Sequence, residues 1–502
     1  MANGDSVLND PQIKRFLDAS TLERFEMAFD EGSADKLRAY MGDEAFTEFR
    51  QLAAETLAAR RKGDLSPDIP PNMIFVPGVM GSLLLSRKMG GIWWIDMRTR
   101  DYIKELKLAP DGKSDARKEY DIAPCTVDIT YAPFFSAVNR TPDFNHEIFA
   151  YDWRKPLSAS AAALRDLIEK TYAANANQPV HLVAHSMGGL MVRAALPPHG
   201  DDLWKKIGRI VFIGTPHYGS PSIAGYLKNH LWGFELMALL GLYLDRETFR
   251  SLWGVLSLLP APRGIYPGTR ASEEQWSGAQ PEDTYVHPCA NFDMYKVDPW
   301  KLELTPQQAD HLQNVLDGAA EFHRSLYEAH TNLSQDERNR MAVIAGVGYE
   351  TLFRLAYKER LWGAWTSMEK VTGRVAGDPH REGDGRVPLA SASLENVGTL
   401  RYVKGVHGEL PMLPPVYEDV FRWLRGEEML LPTSAKGALK GHLSGTPVEN
   451  PAPNLTRITT GNPTTGDPGF LNLNPPDPQA LQQLDALLSN DDLPAFNKIR
   501  LL

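Results

Sequence analysis

Three short stretches of the chain carry residues suited to nucleophilic acyl chemistry. In PVHLVAHSMGGLMVRAAL, Ser186 stands between a β-type run and a helix former, with Ala184 and Gly188 two positions to either side. A serine at a sharp strand-to-helix turn has strained backbone angles that push its Oγ out over the sheet end. Its neighbours must be small, because strand and helix backbones come close there. Ala184 replaces the commoner glycine at a cost of one methyl group, which the turn tolerates. Taken alone, Ser186 reads equally as a helix N-cap. A nucleophile also needs a base, a residue that orients the base, and donors for an oxyanion. In the chain order serine, acid, histidine, REGDGRVPLASA offers Asp384 in a glycine-flanked turn and LRYVKGVHGELPML offers His407 just after a β-type run. Singly, each is an ordinary turn or loop residue; in this order and context, Ser186, Asp384 and His407 form a set. Asp378 and Glu382 compete with Asp384, which is preferred because the Gly-x-Val-Pro after it leaves its carboxylate at the carboxyl end of a strand. His185, beside the serine, is expected to pack under the turn. The backbone N–H of Met187, at the helix start, is the first oxyanion donor. The N–H of Val79 in FVPGVMGSLL is the second, with Gly78 and Gly81 allowing close approach of the backbone; a glycine turn with no such duty is the alternative.

These residues require a sheet with helices between its strands. Six runs, at 73–78, 147–152, 179–185, 209–215, 341–348 and 400–405, are dense in Val, Ile, Phe and Leu without clean alternation. That is how strands buried on both faces of a parallel sheet read. Helical segments lie between them, notably 158–174 and 186–196, which predicts a doubly wound α/β sheet. Ahead of the sheet, residues 1–68 form a helical N-terminal extension, with a capping box at Ser20 and Glu23, further starts at Ser33 and Asp43, and a proline-rich stop at 64–72. The α/β unit runs over 69–425, with cap or lid insertions at about 82–145 and 221–340. Residues 426–502 form a Pro/Asn/Gly-rich linker with a short C-terminal helix.

With 502 residues, 43% hydrophobic and 23% charged, the chain can bury a large core. A net charge of −10 disfavours phosphate backbones and argues against nucleic acid as a partner. Two cysteines, Cys125 and Cys289, make neither a disulfide framework nor a metal site, and no cofactor or metal is implied. The start of the chain lacks a secretory signal, and the longest apolar run, 231–244, is broken by Glu235 and too short to span a bilayer. The expected location is cytoplasmic, and any membrane contact would be transient and made through an apolar lid.

Seven motifs then resemble, in order, those of the lecithin:cholesterol acyltransferase and lysosomal phospholipase A2 group of α/β-hydrolases, in a bacterial type. They are VPGVMGS (76–82), FAYDWR (149–154), AHSMGG (184–189), IGTPHYGSP (213–221), VGYET (347–351), GDGRVP (383–388) and VHGE (406–409). The resemblance covers about residues 72–425. It implies an α/β-hydrolase fold and acyl transfer from a lipid ester through an acyl-serine. It also implies that GIWWIDM, with Trp93 and Trp94, is similar to a tryptophan-bearing lid near the acyl site; packing in the core is the competing account of this pair. Asp152 and Arg154 read as a structural ion pair. The lid lacks the cysteine pair of secreted animal members, and the helical extension and tail have no counterpart, so any protein partner for them is unknown. Two other functions stay open: an esterase or amidase for a small soluble substrate, and a non-catalytic lipid-binding scaffold on a hydrolase fold.

Overall fold

The computed structural model describes residues 10–64, 69–94, 97–141, 143–228, 244–269, 287–289, 292–359, 365–373 and 379–440. The apolar run at 231–243, Asp378, and residues 441–502 of the tail, with the helix expected there, lie outside these residues.

All six runs read as strands form strands, and all join one sheet. They are β1 (Asn72–Val76), β5 (Asn145–Ile148), β6 (Val180–His185), β7 (Ile207–Ile213), β8 (Met341–Val347) and β11 (Thr399–Lys404), arranged β11-β8-β7-β6-β1-β5. Every neighbouring pair is parallel. Because successive strand residues point to opposite faces, the sheet splits its side chains between two layers. Ile74, Val76, Leu182, Ala184, Ile210, Phe212 and Val343 pack on one side. Met73, Phe75, Val183, Val211, Ile213 and Ile344 pack on the other. Burial of both faces explains why the strands lack alternation in sequence. EIFAYD is strand only as far as Ile148; beyond it, Phe149 N–H still bonds to Phe75 O before the chain leaves the sheet.

The N-terminal helices are α1 (Pro11–Asp18), α2 (Thr21–Met27), α3 (Glu31–Met41) and α4 (Asp43–Asp64). Ser20 and Glu23 make the reciprocal capping box on α2. Ser33 does not start a helix: α3 begins at Glu31, after Asp30, and the Ser33 hydroxyl instead donates to the Asp30 carboxylate at 2.7 Å. Ile13, Phe16, Phe25, Leu37, Phe46, Phe49 and Leu52 share one apolar cluster with the second face of the sheet and with α5 (Ala132–Arg140). Arg24, buried, stitches this seam, donating to the carbonyls of Phe16, Leu17, Pro124 and Cys125.

On the first face lie α6 (Leu157–Ala174), α7 (Met187–Ala195) and α9 (Pro306–Asn332), with the short α8 (Pro221–Lys228) near the carboxyl end of the sheet. α10 (Pro414–Leu424) covers the other face. The first insertion is not a loose lid: β2 (Ser82–Ser86), β3 (Ile92–Trp94) and β4 (Ile122–Val127) form a small antiparallel sheet ordered β3-β2-β4. The second contains the wall Leu252–Ala261, and β9 (Thr351–Glu359) pairs with β10 (Trp365–Gly373) in a separate hairpin.

Candidate active site

Ser186 occupies the turn between β6 and α7 with φ 51° and ψ −127°, a conformation rare for a residue with a Cβ. Its N–H is tied to Ile213 O on β7 at 2.9 Å, and its side chain gives α7 no cap. The helix-cap account of this serine therefore falls. A Cβ at Gly188 would lie 2.4 Å from Val76 O and 2.5 Å from Pro77 O, so the turn admits only glycine there. Ala184 sits inside β6, fully buried, opposite Val76 and Phe212, where a methyl group fits the layer. Gly188→Val is accordingly expected to push the β1 loop away from Ser186 and cut turnover at least about a hundredfold. Full activity in that variant, with wild-type melting, would contradict the contact.

The loops that follow the carboxyl ends of three strands meet at this turn. His407 Nε2 lies 2.8 Å from Ser186 Oγ, and its Nδ1 lies 2.8 Å from Asp384 Oδ2. Asp384 is fully buried, and its other oxygen accepts the N–H groups of Arg386 and Val387 at 3.0 and 2.8 Å. The His407 N–H donates to Asp384 O at 2.9 Å, so backbone and side chain both fix the pair. Glu382, also buried, accepts from Gly348 N–H and makes no bond to His407.

The candidate oxyanion donors are the N–H groups of Val79 and Met187. Among the described residues neither finds a hydrogen-bond acceptor. Val79 lines the cavity over Ser186, and Met187 opens α7. A Cβ at Gly78 would stand 3.0 Å from Ser186 Cβ. The YDWR segment braces this loop: Tyr151 Oη donates to Pro77 O at 3.0 Å, and Trp153 Nε1 donates to Ser82 O at 3.1 Å. Arg154 is fully buried, bonded twice to Asp152 and paired at 2.9 Å with Asp115. Asp115 had no distinguishing signal in sequence. Burial alone would push the Asp152 carboxyl up, but the Arg154 guanidinium outweighs it and holds the group below its usual value.

The cavity over Ser186 is lined largely by apolar groups, including Met80, Ile223, Phe249, Val255 and Leu258. Phe249, Val255 and Leu258 belong to the second insertion. The TPHYGS segment holds this wall: Ala261 N–H donates to Tyr218 O, Ser220 N–H donates to Leu258 O, and Gly219, at φ 82°, passes where a Cβ would strike Leu259 O. The tryptophan pair separates. Trp94 lines the cavity and donates to Met80 O at 2.9 Å. Trp93 does not reach it; it lies in the core, stacked on Tyr102 at 4.6 Å, because adjacent residues of β3 point to opposite sides. The reading of Trp93 as a substrate or lid residue is corrected on that ground.

His185, next to the serine, is buried, with Nδ1 2.8 Å from Tyr131 Oη and Nε2 3.1 Å from His407 O. Nothing in the sequence around Tyr131 marks it as part of the site. Among the described residues no helix is long and apolar enough to cross a membrane.

A parallel sheet that presents a strained serine at a strand-to-helix turn, with aspartate and then histidine following in chain order, is the α/β-hydrolase fold. Within that class, the lecithin:cholesterol acyltransferase family model matches residues 143–264. "Phospholipase A(1) LCAT3" of Arabidopsis thaliana is 24% identical over 306 residues, 55% of this chain and 65% of that protein. "Lecithin-cholesterol acyltransferase-like 4" of the same plant is 28% identical over 120 residues, 24% of this chain and 21% of that protein. "Uncharacterized protein YJR098C" of Saccharomyces cerevisiae is 23% identical over 240 residues, 43% of this chain and 36% of that protein. The matches thus span less than two thirds of each of these relatives. Among solved structures, a chain of the Tle4–Tli4 complex is similar with a TM-score of 0.42 at 15% identity, covering 75% of this chain and 99% of that one. Mature Bacillus licheniformis lipase BlEst2 is similar with a TM-score of 0.34 at 14% identity, covering 72% and 94%. The family match and the two plant proteins make the matched part of this chain similar to LCAT-like proteins.

Proposed function

We propose that the protein is a serine hydrolase or acyltransferase acting on a lipid acyl ester. The observation that carries this reading is the hydrogen-bonded line Ser186–His407–Asp384 at the floor of a largely apolar cavity. In the proposed reaction His407 Nε2 takes the Ser186 proton as Oγ attacks the ester carbonyl carbon. The carbonyl oxygen becomes an oxyanion held by the N–H groups of Val79 and Met187. Asp384 keeps the Nδ1 proton of His407 in place and stabilises the imidazolium. Collapse of the intermediate breaks the bond to the leaving alcohol, which takes the proton from His407. Water or a second alcohol, deprotonated in turn by His407, then releases the acyl group from Ser186. The apolar wall from the second insertion, together with Trp94, supports a long acyl chain, since covering it excludes water.

p-Nitrophenyl esters of increasing chain length test the substrate class. Each buried methylene adds about 0.8 kcal/mol, so two more than acetyl suffice for roughly tenfold in kcat/KM. The expected result is preference for octanoyl or longer chains by at least that factor, with a fluorophosphonate probe labelling the protein. Faster turnover of acetyl than of long chains would instead assign a small soluble ester. Absence of turnover and labelling, with and without detergent micelles, would leave a non-catalytic lipid-binding scaffold.

A further inference from the structure

One buried chain of hydrogen bonds joins the loop after β1 to the loop that bears His407, and the reaction described above does not use it. The N–H of Gly78 meets Tyr131 Oη at 3.0 Å, Tyr131 Oη meets His185 Nδ1 at 2.8 Å, and His185 Nε2 meets His407 O at 3.1 Å. Its polarity follows from its ends. A carbonyl oxygen only accepts, so His185 carries its proton on Nε2 and donates to His407 O. Its Nδ1 then accepts, and takes the hydroxyl hydrogen of Tyr131. The Tyr131 oxygen in turn accepts from Gly78 N–H. Every donor has its acceptor, and the direction can be reversed at no link.

The surroundings hold this chain rigid. Tyr131 and His185 are both buried, and the Tyr131 ring packs edge-on to Phe75 of β1 at 5.1 Å. A Cβ at Gly78 would come within 3.3 Å of His185 Nδ1 and 3.4 Å of Tyr131 Oη. Burial, with the neighbouring His407, lowers the His185 pKa to about 3, so the ring stays neutral in the ordinary range. The position of His185 is fixed by chain connectivity too, since it is the last residue of β6 and bonded directly to Ser186.

We propose that Tyr131 and His185 act as a neutral strut that sets the spacing between the Val79 N–H, Ser186 and His407, which makes both of them positioning residues. This rests on the reaction proposed for Ser186. The loop after β1 carries one candidate oxyanion donor, and the His407 backbone carries the base. Each is referenced to the same imidazole, and that imidazole is covalently next to the nucleophile. A shift of about 1 Å in any one of these parts costs on the order of a hundredfold in rate. Loss of the strut therefore acts on the transition state and leaves the affinity of the cavity for its ester largely intact.

Tyr131→Phe keeps the ring on Phe75 and removes only the oxygen. Its expected kcat on the preferred p-nitrophenyl ester is about ten- to a hundredfold below wild type, with KM within about twofold, and fluorophosphonate labelling slows in step. His185→Leu removes both bonds and loses at least as much. His185→Gln, which can still donate to His407 O, recovers part of that loss. The double variant Tyr131→Phe/His185→Leu is no slower than His185→Leu, because the two residues act as one unit. Wild-type kcat in Tyr131→Phe, or losses that multiply in the double variant, would overturn the proposal; should His185→Leu fail to fold, Tyr131→Phe alone decides it. A wild type that neither turns over nor labels would instead remove the reaction. In that event the strut is read by nitrogen-15 histidine spectra. A His185 held as the Nε2–H tautomer from pH 8 to 5 supports it, and a ring titrating near 6.5 overturns it.

Discussion

Ser186→Ala is expected to lower kcat on a long-chain ester by on the order of a millionfold while leaving the protein folded. The size follows from how the parts act together in the proposed reaction: without Oγ, the base has nothing to deprotonate, and the oxyanion donors and the cavity retain only their own contribution. Asp384→Asn is expected to lose about 10⁴-fold, because the amide can orient His407 in the wrong tautomer. Ser186→Gly carries a second signature. Ser186 holds φ at 51°, where a Cβ is strained and glycine is not. Ser186→Gly should therefore be as inactive as Ser186→Ala yet melt higher, with about 1 kcal/mol of strain relieved. Steady-state turnover, active-site labelling and thermal melts on the three proteins check this. Retention of even a few per cent of wild-type kcat in Ser186→Ala would move the nucleophile elsewhere.

Arg154→Met is expected to cost about 3–5 kcal/mol of stability near neutral pH, the range for removing one partner from a buried ion group. Arg154 is fully buried and serves two carboxylates, Asp152 and Asp115, as well as Leu106 O. Its loss leaves Asp115 buried without that cation and Asp152 with only the half-buried Lys155, 3.3 Å away. Arg154→Lys is not a rescue, since a single ammonium cannot reproduce the two-pronged bond to Asp152. The pH dependence has a definite sign. In wild type the folded Asp152 pKa lies below its usual 3.8, so its contribution is present above that value and is lost as pH falls through the folded pKa. Without Arg154, burial of Asp152 is opposed only by Lys155 and its carboxyl pKa rises, so this group takes up a proton at higher pH. The gap between variant and wild type should therefore be widest near pH 7 and narrow towards pH 4. Urea unfolding across that range measures it, and equal midpoints at pH 7 would refute the assignment of this cluster as a stabilising one.

The sheet was legible because its strands are buried on both faces and so are uniformly apolar, and the turn at Ser186 because its steric demands fall on close neighbours. Ordered spacing along the chain pointed to Asp384 and His407. The strut was not legible, since Tyr131 lies 54 residues from His185 and is distinguished only by what it touches. Asp115 is hidden for the same reason: an isolated acid in an insertion gives no sign that it meets Arg154. Trp93 and Trp94 are a different case. They are adjacent on a strand, and strand geometry alone forbids both from facing one cavity, a constraint the motif resemblance did not contain.

The seam at Arg24 bears on how the chain is made. Synthesis delivers α1 to α4 before the strands they cover, and the Pro124 carbonyl that Arg24 holds is 100 residues further along. Until β4 has emerged, that guanidinium and the apolar side of the four helices have no permanent docking place. These helices therefore reach their docking surface only after a long stretch of the chain has followed them. The seam closes only as the ribosome moves on past β4.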